Sequence, residues 1–171
     1  RSSQWYESRL LRWASPMFHF GLLGVLAGHV VGLLVPESWT EAIGITNDMY
    51  HWIAVITGVI AGFCTVVGLA ILIYRRRTVG PVFSATTLND KVMYFFLALT
   101  IFLGMANTVV GNILSHYDYR EELAVWFRRI FWFQPDPALM VDAPFTFKAH
   151  AVVAFLLFAI WPFTRLVHVF S

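Results

Sequence analysis

The feature that most limits what this chain can become is Pro16 to Val35, PMFHFGLLGVLAGHVVGLLV. These twenty residues carry no ionisable group except two histidines, His19 and His29. A helix of about 20 residues, rising 1.5 Å each, spans the roughly 30 Å of a bilayer's hydrocarbon layer. A helix also satisfies its own backbone polar groups, which hydrocarbon requires. Ser15 can cap such a helix, and Pro16 suits its first position, where an N–H would go unpaired. Two imidazoles inside hydrocarbon are costly unless something binds them, so both are functional candidates. Gly24, Gly28 and Gly32 recur every four residues, leaving a strip of bare backbone. That strip reads equally as a small-residue packing seam or as a wall against which a flat macrocycle lies.

Three further apolar runs, at about 50–74, 91–114 and 145–170, have the same character, the first two opening beside Asn47-Asp48 and Asn89-Asp90 as plausible caps. Between the last two, Tyr119 to Phe133 sets Leu123, Trp126, Phe127, Ile130 and Phe131 on one side of a helix, with Glu122, Arg128 and Arg129 elsewhere. An aromatic-rich amphipathic helix of this kind lies in a membrane interface. The expected fold is an all-α integral membrane bundle, one domain over residues 1–171, with four visible spans and an outer interfacial helix. A composition of 58% hydrophobic and 13% charged residues agrees, and nothing in it points to nucleic acid. The single cysteine, Cys64, allows no disulfide and no CxxCH haem attachment. The chain opens on Arg1 rather than Met, so it is expected to be part of something longer. Residues 1–15 and 75–91 together hold seven lysines and arginines, and 36–49 holds none. By the positive-inside rule, the amino-terminal loop, the Arg75–Arg77 loop and the carboxyl terminus are cytoplasmic.

The last run, FTFKAHAVVAFLLFAIWPFTRLVHVF, again carries two histidines, His150 and His168. Eighteen residues are five helical turns, so on an unbroken helix both share one face, with Pro162 able to kink it between them. Four intramembrane histidines make two bis-imidazole sites. Zinc would want accompanying carboxylates or thiolates. A proton relay remains open, since imidazole titrates near neutrality, but it would expect acidic residues inside the spans, and only Asp90 stands at a mouth. Haem fits better, as its ring suits an apolar core and its propionates want cations at the membrane edge. Arg12, Arg77 and Arg165 are the candidates there, and Gly28 the candidate for close packing. For antiparallel first and last spans, nested pairing joins His19 with His168 and His29 with His150 without crossed axes. The histidines are about 15 Å apart along the first helix and about 27 Å along the last at ideal rise. Tilt, the Pro162 kink and inclined ligand axes must absorb the difference.

FHFGLLGVLAGHVVG with its FH-x9-H spacing, the RRR-x3-P turn, and the ending FKAHAVVAFLLFAIWPFTRLVHVFS resemble the gamma, cytochrome b, subunit of respiratory membrane-bound nitrate reductase. The resemblance covers essentially the whole chain and is most specific at its two ends. It implies two b haems, His19 and His168 ligating the inner one and His29 and His150 the outer. It also implies oxidation of a quinol, menaquinol or ubiquinol, near the outer haem. Electrons would then pass to a cytoplasmic iron–sulfur (beta) subunit and on to a molybdenum (alpha) subunit that reduces nitrate. The localisation implied is a prokaryotic cytoplasmic membrane. Family members have five spans, the first lying before the region that opens this chain. Their quinol pocket uses a lysine at the start of the second span seen here, where the nearest basic group is His51. His51 reads equally as part of an interfacial Tyr50-His51-Trp52 belt, and His116 as a solvated loop residue. The cytoplasmic face, with Arg1, Arg9, Arg12 and Arg75–Arg77, is the expected docking surface for the iron–sulfur partner. The alternatives are a related cytochrome b anchor of a heterodisulfide-reductase-like or sulfite-reduction complex, or, from another class, a haem-free transporter or structural anchor.

Overall fold

The structure, a computed structural model, describes residues 8–114 and 117–164, and of residues 112–114 the backbone alone. His168, Arg165, His116 and Arg1 lie outside the described residues. Seven α-helices are described: α1 Arg9–His29, α2 Glu37–Ala42, α3 Asn47–Thr78, α4 Gly80–Ser84, α5 Leu88–Ala106, α6 Leu123–Phe131 and α7 Phe145–Ile160. Two π-helical segments, Val30–Leu34 and Asn107–Leu114, continue α1 and α5. Four stretches among the described residues are long and apolar enough to cross a membrane: Arg9–Leu34, Asn47–Thr78, Leu88–Gly111 and Phe145–Phe163. Their outward surfaces carry exposed Phe20, Phe63, Phe95, Phe102 and Phe158, which suits hydrocarbon and not water.

The helices begin and end differently from the sequence expectation, each time for a local reason. Ser15 does not cap α1. The helix starts about two turns earlier, with the Arg12 N–H on the Ser8 carbonyl, and runs through Pro16. The missing N–H costs one internal bond, which apolar contacts repay along a helix whose Ala14, Phe18 and Gly21 are buried. Thr46, not Asn47 or Asp48, caps α3 by accepting the Met49 N–H, and α3 continues past the three arginines to Thr78. Thr87 caps α5 in a reciprocal capping box with Asp90, which is 2% exposed. The interfacial helix is shorter than expected, beginning at Leu123 after a turn. The last helix ends at Ile160 in a 3₁₀ turn over Trp161–Phe163, with Thr164 extended, because Pro162 supplies no N–H. His150 and His168 therefore do not share one unbroken helix.

Glycines bring the helices together in pairs. A Cβ at Gly68 of α3 would lie 2.6 Å from the Phe18 nitrogen of α1, and one at Gly21 would lie 2.7 Å from the Thr65 nitrogen. Across the other pair, a Cβ at Gly111 would lie 2.5 Å from the Phe147 ring of α7. Thus α1 lies along α3 and α7 along α5, the two pairs meeting through α3 and α5, where Gly62 receives Met105. One residue from each long helix, Phe18, Leu69, Leu97 and Leu157, forms the core cluster, toward the Arg75 end of the bundle.

Candidate functional site

At the opposite end two histidines from different pairs come together. His29 closes α1, five residues before Leu34, and His150 stands five residues after Phe145. Their ring centroids are 6.0 Å apart and their planes inclined by 31°. The His29 Nδ1 lies 2.8 Å from the Val25 carbonyl. A carbonyl only accepts, so Nδ1 carries the proton and the Nε2 lone pair of the neutral ring is left for a ligand. His150 rests against Gly104 of α5, where a Cβ would come within 3.1 Å of its Cε1 and press on the ring. The Nδ1 of His150 is buried with no hydrogen-bond partner in bonding geometry, although the Thr100 carbonyl faces the ring. Both π-helical segments adjoin the pair, one following His29 and the other following the helix that carries Gly104. Such widened turns recur at functional sites because they redirect the side chains beyond them.

Two imidazoles bonded to one metal at about 2 Å each place their centroids about 6 Å apart. The observed spacing matches, and among the described residues no third His, Cys, Asp or Glu joins the pair to make a zinc-type cluster. A group that brings most of its own ligands and would take only an imidazole nitrogen from each of His29 and His150 fits these residues, and haem would be such a group.

The family model described as nitrate reductase gamma subunit matches residues 1–171. The chain belongs to that family. Among its relatives, the nitrate reductase gamma chain of Bacillus subtilis is 40% identical, with 100% of this chain and 77% of the relative aligned. The respiratory nitrate reductase 2 gamma chain of Escherichia coli is 31% identical, over 99% of this chain and 75% of the relative. The nitrate reductase-like protein NarX of Mycobacterium tuberculosis is 54% identical over 100% of this chain, which spans only 26% of that protein's length.

In this gamma-family chain the other expected site residues divide clearly. His19 repeats the His29 arrangement, its Nδ1 2.7 Å from the Ser15 carbonyl, while its expected partner His168 falls outside the described residues. Arg12 lies over the neighbouring Trp13 ring at 5.6 Å and is exposed, as is Arg77. The glycine strip proves to be two things. A Cβ at Gly24 would meet Ala61 at 3.0 Å and one at Gly32 the Tyr119 hydroxyl at 2.7 Å, so both are packing positions, whereas one at Gly28 would meet nothing. His51 is half-buried in the second turn of α3, its ring edge-on to Trp52 at 5.6 Å.

The sequence reading missed a cluster at this end. Arg120, 4% exposed, donates to Thr40 Oγ1 at 2.8 Å and to Asn47 Oδ1 at 3.4 Å, and lies 3.8 Å over the Tyr50 ring. Asn47 in turn donates to the Glu37 carboxylate. The Tyr50 hydroxyl meets that of Tyr119 at 3.2 Å, directly over Gly32. Arg128 donates to the Leu33 carbonyl at 3.0 Å, and burial with the nearby Arg120 charge pulls its pKa down. The signal was an arginine among acidic residues, DYREE, on the side where positive-inside counting wants none. Arg120 ties Thr40 of α2 to Asn47 and Tyr50 at the start of α3.

Burial, then the Tyr50 hydroxyl, pushes the Tyr119 phenol well above its ordinary pKa, and burial with Glu122 does the same for Tyr117. A phenol whose pKa is raised on folding adds stability that is present below pH about 10 and lost as pH rises further. At about pH 11 the folded protein should therefore show the same tyrosinate absorbance rise near 295 nm with or without Tyr117→Phe and Tyr119→Phe. A smaller rise in the double variant would mean that these phenols ionise in the fold.

Proposed function

We propose that this chain is the membrane-anchoring dihaem cytochrome b subunit of a nitrate reductase, oxidising quinol at the His29 end and passing electrons to a cytoplasmic iron–sulfur subunit. The observation that carries the reading is the His29–His150 ring pair in a gamma-family chain. Haem at this pair and at His19–His168 would supply one-electron carriers with no open position for oxygen. What the chain supplies is the Nε2 lone pair of His29, the His150 ring 6.0 Å away, the Gly104 clearance for that ring, and the open flank at Gly28. The arginine distribution supports placing the His29 end outward.

Quinol yields two electrons and two protons, so its pocket needs a base and a route to water. His51 lies at the outer end of α3, one residue from Tyr50, whose hydroxyl abuts Gly32 three residues beyond His29. A neutral imidazole there accepts a quinol hydroxyl's hydrogen bond and then its proton. Releasing protons outward while electrons move inward works against an inside-negative potential, about 2.3 kcal/mol per charge per 100 mV for a full crossing. The iron–sulfur subunit would dock on the other face, where Arg9 and Arg12 are exposed; Arg75 is buried and belongs to the fold. His51→Ala should slow quinol-driven haem reduction about a hundredfold, leaving reduction by dithionite unchanged. Unaltered quinol kinetics would return His51 to the aromatic belt.

A further inference from the structure

The Arg75 end carries a second feature, distinct from the histidine pair. Between the last turn of α3, α4 and the first turns of α5 lies a cleft of about 430 Å³. Three cations line it: Arg76, Arg77 and Lys91. Arg76 is held in place by the Thr86 hydroxyl at 3.2 Å, the Asp90 carboxylate at 3.7 Å and the Tyr94 ring at 5.2 Å. Arg77 and Lys91 are exposed and have no ion-pair partner among the described residues. Asp90 stands against Arg76, and the exposed Arg77 and Lys91 leave the cleft positively charged.

Its floor says what kind of anion it takes. Tyr94 and Phe95 line the cleft, and Phe95 is 62% exposed. Lys91, Phe95 and Phe102 recur at spacings of four and seven, one face of α5. Phe102 on that face is also exposed. A bound molecule would thus meet cations at the membrane edge and an aromatic track running into the hydrocarbon.

We infer that this cleft binds one anionic phospholipid, its phosphate between Arg77 and Lys91, with Arg76 behind, and an acyl chain along Phe95 and Phe102. Basic pockets between transmembrane helices on the cytoplasmic side recognise such headgroups. A soluble phosphate would use the cations and leave the aromatic track idle. The inference does not depend on haem or quinol.

The test is native mass spectrometry of the purified, delipidated complex, titrated with dioleoyl-phosphatidylglycerol or dioleoyl-phosphatidylcholine. The wild-type protein should retain one phosphatidylglycerol in preference to phosphatidylcholine. Arg77→Gln with Lys91→Gln should weaken phosphatidylglycerol retention about thirtyfold, at about fivefold per basic group, leaving phosphatidylcholine unaffected. Arg129→Gln, at the opposite end, should change nothing. Glycerol 3-phosphate should fail to displace the lipid. Retention unchanged in the double variant, equal retention of the two lipids, or displacement by glycerol 3-phosphate would each overturn the inference. So would loss of the preference only when the partner subunits are bound, since the cleft would then be a protein contact.

Discussion

On the proposed dihaem function, replacing His150 with alanine should remove one haem and leave the other, taking the pyridine haemochrome content from two to one per chain. His29→Ala should remove the same haem, because the two rings stand 6.0 Å apart on helices of different pairs. The remaining haem should be the one held by His19. Losing one of two axial imidazoles leaves the other unable to keep a six-coordinate iron, and the dithionite-reduced spectrum should fall to about half its amplitude in either variant. If His29→Ala and His150→Ala removed different haems, the pairing across the bundle would be wrong. If neither removed any, the ring pair would be a packing contact, and the proposed redox role would fail with it.

The second large effect concerns the seam that holds α1 in place. Gly68→Ala puts a methyl group 2.6 Å from the Phe18 nitrogen and 2.7 Å from its Cα. Backbone atoms cannot turn aside as a flexible side chain can, so α1 must lift from α3. Overpacking of this kind costs about 2 kcal/mol, which for a chain this size should lower the melting temperature by about 5 °C. Because α1 carries both His19 and His29, haem content should fall in parallel. Gly80→Ala is the control, since a Cβ there meets nothing within 4 Å, and its melting temperature should not move. Equal melting of Gly68→Ala and the wild-type protein would mean that the helices do not approach so closely.

The spans were legible because hydropathy and length act on whole segments, and the four described spans, Arg9–Leu34, Asn47–Thr78, Leu88–Gly111 and Phe145–Phe163, overlap the four apolar runs. The ends were not, because they turn on single contacts. Thr46 and Thr87 cap where Asn47 and Asn89 looked as suitable. A bilayer-spanning helix tolerates Pro16 where a marginal soluble one would break. The His29–His150 pairing followed from antiparallel order alone, and the two rings do adjoin. Period-four glycines promised a single face, yet the π-wound Val30–Leu34 turns Gly32 toward Tyr119, while Gly28 stays open. Arg120 was hidden for another reason. Its value lies in a fold-back contact over 80 residues to Thr40, which no local pattern announces.

The division of the bundle into α1–α3 and α5–α7 pairs changes what the histidines are for. Within the α1–α3 pair glycines let backbones touch, and within the α5–α7 pair Gly104 and Gly111 make room for the His150 and Phe147 rings. Between the pairs run the α3–α5 seam, the shared cluster and α6, which reaches Leu33 on one side and Phe155 on the other. His29 belongs to one pair and His150 to the other. A ligand gripped by both rings would be a rivet as well as, on the proposed function, a conductor. Its binding energy adds to the cohesion of the two halves, since a ligand held only by the assembled form stabilises that form. On the proposed function, assembly of the bundle and loading of its redox centre would then be coupled.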